Sequence, residues 1–179
     1  DPSYVSGTGT YTIGNNNGTA AAPVAATESG AFGNNNALPT ASTTGIRVVG
    51  NGNTVNSSHV MVMGNNVAVA SGLNGAVVLG HDSTVSKAVD TDQTQITING
   101  VTTTYTYATW GAAPLDGDVV SVGSATAPRQ IQNVANGQVT ATSLDAINGS
   151  QLYAVAVQAA QAAQAAGAAG THFYSVKST

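Results

Sequence analysis

The chain has 179 residues, of which 7% are charged and 5% aromatic, and its formal net charge at pH 7 is -4. Four basic residues in the whole sequence cannot neutralise a run of phosphates, so the composition argues against nucleic-acid binding. The sequence has no cysteine, which excludes a disulfide framework and a thiolate metal site.

The apolar residues are mostly small. They make up 42% of the chain, largely as Ala and Val, with two Phe, two Met and one Trp. Because such side chains bury little area each, we expect stability to come from repetition or from partner chains. No apolar run approaches the roughly 20 residues that span a bilayer, and the first residues lack the basic start of a signal peptide. We therefore expect no membrane contact by this fragment and an anchor elsewhere in the parent protein.

A short motif recurs five times in the first half of the chain: two or three apolar residues, a glycine and a polar turn that is usually rich in asparagine. The glycines are Gly14, Gly33, Gly50, Gly64 and Gly80. Their spacings of 19, 17, 14 and 16 residues are too long for hexapeptide coils, and the motif lacks the aspartates of calcium-binding nonapeptides. Each period fits two short strands and two turns, with the glycines at the corners, which predicts an all-β stack of coils.

Stacked coils would align equivalent residues. We expect one interior row of valines, at Val48, Val62 and Val78. The residues after the glycines would form an outer ladder of Asn15, Asn34, Asn51 and Asn65. We interpret these asparagines as turn residues rather than as a ligand site, because Asn is favoured at such corners in any protein.

The period is interrupted between residues 87 and 119. Residues 94–107 form two β-rich runs joined at Asn99 and Gly100, a strong hairpin signal. The aromatic residues Tyr105, Tyr107 and Trp110 indicate either a small satellite core or an exposed contact surface, and we favour the core. The repeat returns at residues 120–123, with Gly123 as a further corner, so the insertion is expected to project sideways from an undisturbed stack.

A helix is predicted from residue 150 to 169. Leu152, Val155 and several alanines recur at about 3.5-residue spacing, with glutamines between them. An Ala-rich helix of this length is marginal alone in water, so it requires partner helices, which we expect from identical chains. Gly167 and Gly170 are predicted to end it, and residues 171–176 read as an extended piece that begins another module.

Residues 128–153 carry the most specific pattern in the chain. Residues 145–152 read DAINGSQL, preceded by RQI at 129–131 and NVA at 133–135. This segment closely resembles the neck of YadA-like trimeric autotransporter adhesins. The glycine repeats of residues 11–86 are similar to the head of that family, and the insertion is similar to inserts found in such heads.

The resemblance implies a mainly β fold: a trimeric left-handed parallel β-roll head with a short β-rich insertion, then a neck and a short trimeric α-helical coiled coil. It implies head repeats at 1–86, the insertion at 87–119, the last head coil at 120–127, the neck at 128–151, the stalk start at 152–170 and a further module at 171–179. Neck and trimer-forming residues would be Arg129, Asn133, Asp145, Asn148, Gly149, Gln151 and Leu152. Polar neck groups buried between chains would have to satisfy one another.

The resemblance also implies a function: the passenger fragment of a bacterial adhesin, displayed outside the outer membrane of a Gram-negative cell. Its partners would be two identical chains and host matrix or cell-surface molecules, with attachment to abiotic surfaces, autoaggregation and biofilm formation as further roles. Three alternatives remain open: a purely structural spacer of such a fibre, a single-chain β-solenoid, and a left-handed β-helix acyltransferase. The last requires six-residue turns and a catalytic histidine. This chain instead has periods of 14–19 residues and no histidine at a repeated position.

No catalytic constellation is evident. The histidines, His59, His81 and His172, stand at no motif spacing to one another or to the eight carboxylates. Asp116 and Asp118 flank a glycine and are better explained as a turn than as a paired acid and base. We therefore predict no enzyme activity, no cofactor and no metal site.

Overall fold

The computed structural model describes residues 2–91, 93–107 and 113–169. The chain divides into two compact units, residues 1–130 and residues 131–179. The first unit is a β-solenoid, and the second contains the helix.

The described residues contain short strands followed by one long helix. In chain order these are β1 (Tyr11–Ile13), β2 (Gly30–Phe32), β3 (Arg47–Val49), β4 (Thr54–Val55), β5 (Met61–Met63), β6 (Ala68–Val69), β7 (Val77–Leu79), β8 (Gln93–Ile98), β9 (Val101–Thr106), β10 (Val120–Ser121) and α1 (Gly149–Ala169).

A parallel sheet runs along the stack of coils. Its six strands are ordered β1-β2-β3-β5-β7-β10, and each coil contributes one strand. The register pairs Val48 with Val62 and Val62 with Val78. The predicted interior row of valines is therefore confirmed.

The core lies between this sheet and a second, two-stranded parallel sheet of β4 and β6. The middle residues of β3, β5 and β7 are fully buried, while both residues beside each of them are exposed or half-buried. Val55 and Val69 face the core from the second sheet. Each fully buried Val contributes about 1.5 kcal/mol or more, so this small-residue core gains its stability by adding coils.

The corner glycines stack on one another. A Cβ added to Gly14 would collide with the carbonyl oxygen of Gly33, and the same collision recurs from Gly33 to Gly50 and from Gly50 to Gly64. These three glycines also have φ values of 119°, 131° and 137°, which residues with a side chain rarely adopt. Glycine is thus required twice over, by the turn and by the close approach of the next coil.

The insertion leaves the stack intact. Strands β7 and β10 pair in parallel, Val77 with Val120, although the insertion separates them in the chain. At its base, Lys87 Nζ lies 2.7 Å from an oxygen of Asp116. Asp118 N–H donates to Leu115 O at 2.9 Å, which confirms the predicted turn.

Within the insertion, β8 and β9 form the predicted antiparallel hairpin with Asn99 and Gly100 as its two-residue loop. The hairpin makes no extended contact with another described strand or with the helix. The predicted satellite core is wrong for Tyr105 and Tyr107, which are about half exposed. No other described strand and no described part of the helix covers them. Trp110 lies outside the described residues.

Helix α1 has 21 residues, and all its described side chains are exposed or, at Gln151, half-buried. Gly167 lies inside the helix, so the prediction that it ends the helix is wrong. The alanines around it favour the helix enough to carry one glycine, which costs about 1 kcal/mol. Gly170 and residues 171–176 lie outside the described residues. In the described part of the chain, no helix is both long and apolar enough to span a membrane.

Candidate functional site

The predicted outer asparagine ladder is confirmed. The backbone N–H of Asn15 donates to Asn34 Oδ1 at 2.8 Å, and that of Asn34 donates to Asn51 Oδ1 at 2.8 Å. Asn51 N–H continues the row to Asn65 Oδ1 at 2.7 Å. Each side chain thus ties one coil to the next, which favours the turn interpretation over ligand binding.

A second asparagine ladder runs inside the stack, and the sequence interpretation missed it. Asn17, Asn36 and Asn53 are almost completely buried. Asn36 Nδ2 donates to Asn17 Oδ1, and Asn53 Nδ2 donates to Asn36 Oδ1, each at 3.0 Å. The same oxygens accept the backbone N–H groups of Asn36 and Asn53 at 3.1 Å. Val67 ends the row, because its N–H donates to Asn53 Oδ1 but its side chain cannot continue it.

A positional signal for this inner ladder exists in the sequence. Each of its members stands three residues after a corner glycine, at Gly14, Gly33 and Gly50. The equivalent residue after Gly80 is Ser83, which is also buried. A residue that always follows the corner by three is directed inward in every coil, so polarity there demands a partner in the neighbouring coil.

Arg129 occupies the position above the last stacked glycine. A Cβ on Gly80 would meet the Arg129 guanidinium, as a Cβ on each earlier corner meets the next coil. The guanidinium donates to His81 O at 2.7 Å, Val122 O at 2.8 Å and Ser83 Oγ at 2.9 Å. Arg129 therefore satisfies acceptors that a further coil would otherwise reach. Gly123 lies in the last coil but does not stack on Gly80.

Asn148 caps helix α1. Its Oδ1 accepts hydrogen bonds from the N–H groups of Ser150 and Gln151, each at 3.2 Å, and from Ser150 Oγ at 2.7 Å. Its Nδ2 donates to Val134 O at 3.0 Å and Asn136 Oδ1 at 2.8 Å. One side chain thus starts the helix and fixes the segment that precedes it.

Gln151 completes a reciprocal cap at the third helical position. Its Oε1 accepts from Asn148 N–H at 3.4 Å and from Gly137 N–H at 2.9 Å. Its Nε2 donates to Gly137 O at 2.7 Å. Gln138, the residue after Gly137, donates its backbone N–H to Asp145 Oδ2 at 2.9 Å. The 136–138 segment is therefore tied to the helix start through polar groups of a single chain.

The remaining predicted neck residues are placed around the same helix start. Gly149 is the first helical residue, and nothing lies within 4 Å of a Cβ built on it. Leu152 is 65% exposed. Asn133 has a positive φ of 60°, and together with Ile131 and Ile147 it lines an open cleft beside the helix start. Unlike Asn148 and Gln151, whose polar groups are hydrogen bonded, the apolar neck residues face solvent in the single chain.

The outward side of the six-stranded sheet is apolar except at Arg47, which is exposed on β3. The register places one row at Ile13, Phe32, Val49, Met63 and Leu79. Ile13, Val49 and Met63 are 60%, 48% and 52% exposed. Tyr11 packs its ring edge-on to Phe32 with centroids 5.5 Å apart. A continuous apolar face of this kind marks an interaction surface rather than a random feature of a soluble protein.

The described residues offer little for chemistry. They hold no group of three or more His, Asp or Glu side chains that could bind a metal ion. His81 Nε2 lies 2.8 Å from Asp82 Oδ2, both well exposed, and exposed His59 lies against Gly45. His172 is outside the described residues. What this geometry supports is contact between surfaces.

No family model matches the chain. Over 86 residues, 48% of its length, the chain is 40% identical to the autotransporter adhesin BtaE of Brucella suis and covers 11% of that protein. It is also similar in structure to the C-terminal YadA-like domain of a Burkholderia pseudomallei protein, with a TM-score of 0.54 and 34% identity. That similarity covers 66% of this chain and 52% of the solved one. The chain thus spans only a part of either relative.

Proposed function

Because the resemblance of this chain to the YadA-like trimeric autotransporter adhesins is confirmed by both comparisons, we propose that it is part of the passenger region of a bacterial surface adhesin. In this proposal three identical chains assemble side by side. The head then presents a broad surface with few charges, on which weak contacts repeated threefold produce avidity.

The observation that carries the trimer proposal is the apolar outward face of the six-stranded sheet. It presents Phe32, Val49 and Met63 along one line, and no described residue of the chain covers them. Burying such a face against copies of itself removes apolar area from water at about 25 cal/mol per Å². A closed ring of identical chains satisfies the face on every protomer.

The neck and helix support the same proposal independently. Leu152, Tyr153 and Val155 are each more than 60% exposed on a helix that packs against no described strand. We infer that they and the exposed Ile131 and Ile147 pack between chains, as the start of a coiled-coil stalk. The polar groups of Asn148 and Gln151 are already paired within one chain, so their proposed role is to position the crossing segment.

The proposed location is the bacterial cell surface. Host matrix or cell-surface molecules, abiotic surfaces and other bacterial cells are the proposed contacts, so biofilm formation and virulence are the processes it would serve.

Light scattering on the purified chain tests the assembly. We expect a mass of three times 17.6 kDa and a circular dichroism spectrum with both strand and helix. A folded monomer would contradict the trimer and favour a single-chain β-solenoid instead.

Adhesion itself requires a separate assay. Trimeric protein is passed over immobilised matrix proteins and over a layer of the same trimer, with a trimer lacking residues 93–107 as a control for the hairpin. Saturable, salt-tolerant binding to one of these is expected from a surface with so few charges. A well-formed trimer that binds none of them would instead be the spacer of a fibre.

A further inference from the structure

Asparagine followed by glycine occurs six times in the sequence, and the structure treats these pairs unequally. They are Asn17-Gly18, Asn51-Gly52, Asn74-Gly75, Asn99-Gly100, Asn136-Gly137 and Asn148-Gly149. Such a pair can react without an enzyme, because glycine leaves its own amide nitrogen sterically free to attack the asparagine side chain. Whether it does so in a folded protein depends on how both groups are held.

In four pairs both reacting groups are hydrogen bonded. Asn17 is buried, its Nδ2 donates to Gly33 O at 2.8 Å, and the Gly18 N–H donates to Asn36 O at 2.9 Å. Corresponding bonds hold both groups of Asn51-Gly52, Asn74-Gly75 and Asn136-Gly137.

The fifth pair is held through the asparagine. The Asn148 side chain takes part in five hydrogen bonds at the helix start, three through Oδ1 and two through Nδ2. Its amide cannot be released without uncapping α1 and detaching residues 134–136. In all five pairs, reaction requires the opening of a stacked coil or of the capped helix start.

Asn99 differs from the other five asparagines in its hydrogen bonding. Its side chain is exposed and has no hydrogen-bond partner among the described residues. The loop joins two strands that make no extended contact with another described strand or with the helix. An isolated two-stranded hairpin is marginally stable in water, so its loop opens at little cost.

We propose that Asn99 is a selective deamidation site of this protein. The Gly100 nitrogen forms a bond to Asn99 Cγ, the Cγ–Nδ2 bond breaks, and the displaced nitrogen leaves as ammonia with the proton from Gly100. The product is a five-membered succinimide. One water molecule then opens the ring at either carbonyl, which leaves aspartate or isoaspartate and requires no oxidant or reductant.

Deamidation of Asn99 changes the charge and the backbone geometry of the hairpin. The described residues from 93 to 107 carry no charged side chain, so the product places the first negative charge on it. Isoaspartate also adds a methylene to the backbone of a loop whose φ values are 50° at Asn99 and 79° at Gly100. The exposed apolar residues on either side of the loop, Ile98 and Val101, would therefore lose their pairing register.

The test compares the six sites in folded and unfolded protein. The chain is incubated at mildly alkaline pH in buffer and in concentrated urea, and each Asn-Gly peptide is followed by mass spectrometry. In urea all six are expected to react at similar rates. In the folded protein Asn99 should react within about tenfold of its urea rate, and the other five should slow by about a hundredfold or more.

The variant Asn99→Gly provides the control. It keeps a loop residue that tolerates positive φ but has no side-chain amide, so the mass gain should vanish from the hairpin peptide and persist at the other sites in urea. The proposal is overturned if folding slows the deamidation of Asn99 as strongly as that of the other five asparagines. It is also overturned if another Asn-Gly pair deamidates fastest in the folded protein.

Discussion

Asn34 and Asn36 make similar inter-coil hydrogen bonds in different surroundings. Asn34 lies on the outer ladder and is exposed, whereas Asn36 is 1% exposed and contacts both Asn17 and Asn53. Burial decides what the loss of these bonds costs, because water can replace a partner only at the surface. The two residues therefore form a natural pair for measuring how the stack is held.

We expect Asn36→Ala to lower the free energy of unfolding by about 2–4 kcal/mol, because it leaves buried polar groups of both neighbouring coils without partners. Asn34→Ala should cost about 1 kcal/mol or less, since solvent reaches the groups it releases. Urea unfolding of both variants at one protein concentration measures the difference. Equal losses would mean that the inner ladder is no more important than the outer one.

The sequence identified the outer ladder and not the inner one for a simple reason. In the strings that follow Gly14 and Gly33, three asparagines stand side by side and look alike. Turn preference explains all of them, but only the direction of the side chain at the corner separates the third from the first. Composition favours Asn at the corner, and burial of the third residue depends on the stacking of the next coil.

Asn148 combines two functions that a substitution can separate. Serine caps helices as well as asparagine does but has no amide to donate to Val134 O and Asn136 Oδ1. We expect Asn148→Ser to keep the Ser150 and Gln151 amides protected from hydrogen exchange and to loosen residues 134–136. Asn148→Ala should expose those two amides as well and cost about 1 kcal/mol more in thermal unfolding followed at the helix band. Identical exchange patterns in the two variants would refute the capping role.

The hairpin shows where pattern reading is sound and where it fails. Asn99 and Gly100 between alternating strands predicted the hairpin and its loop correctly, because both follow from local turn geometry. The aromatic residues of the insertion suggested a satellite core, yet Tyr105 is about half exposed. Aromatic side chains indicate that a hairpin has an apolar side, but what covers that side is decided by other parts of the chain or by another chain.

The period of the glycines predicted how the coils of the head unit stack. A repeated corner every 14 to 19 residues predicts two short strands per period and an interior row of valines. The row is present, and two strands per coil are found in the coils of β3 and β4 and of β5 and β6. The handedness of the coils and the assembly of three chains came only from the resemblance and remain predictions. Since the row of Ile13, Phe32, Val49, Met63 and Leu79 on the outward face is apolar, assembly can be tested by charging that row.

We expect Val49→Lys to abolish the trimer, because in a closed assembly it would bury three ammonium groups against apolar strands without partners. The matched control is Ala68→Lys, which places the same charge on an exposed strand position of the other sheet. Light scattering should give 17.6 kDa for the first variant and the trimer mass for the second. A stable trimer of Val49→Lys would show that the chains meet elsewhere. Dissociation of Ala68→Lys would place the interface on the sheet of β4 and β6 instead.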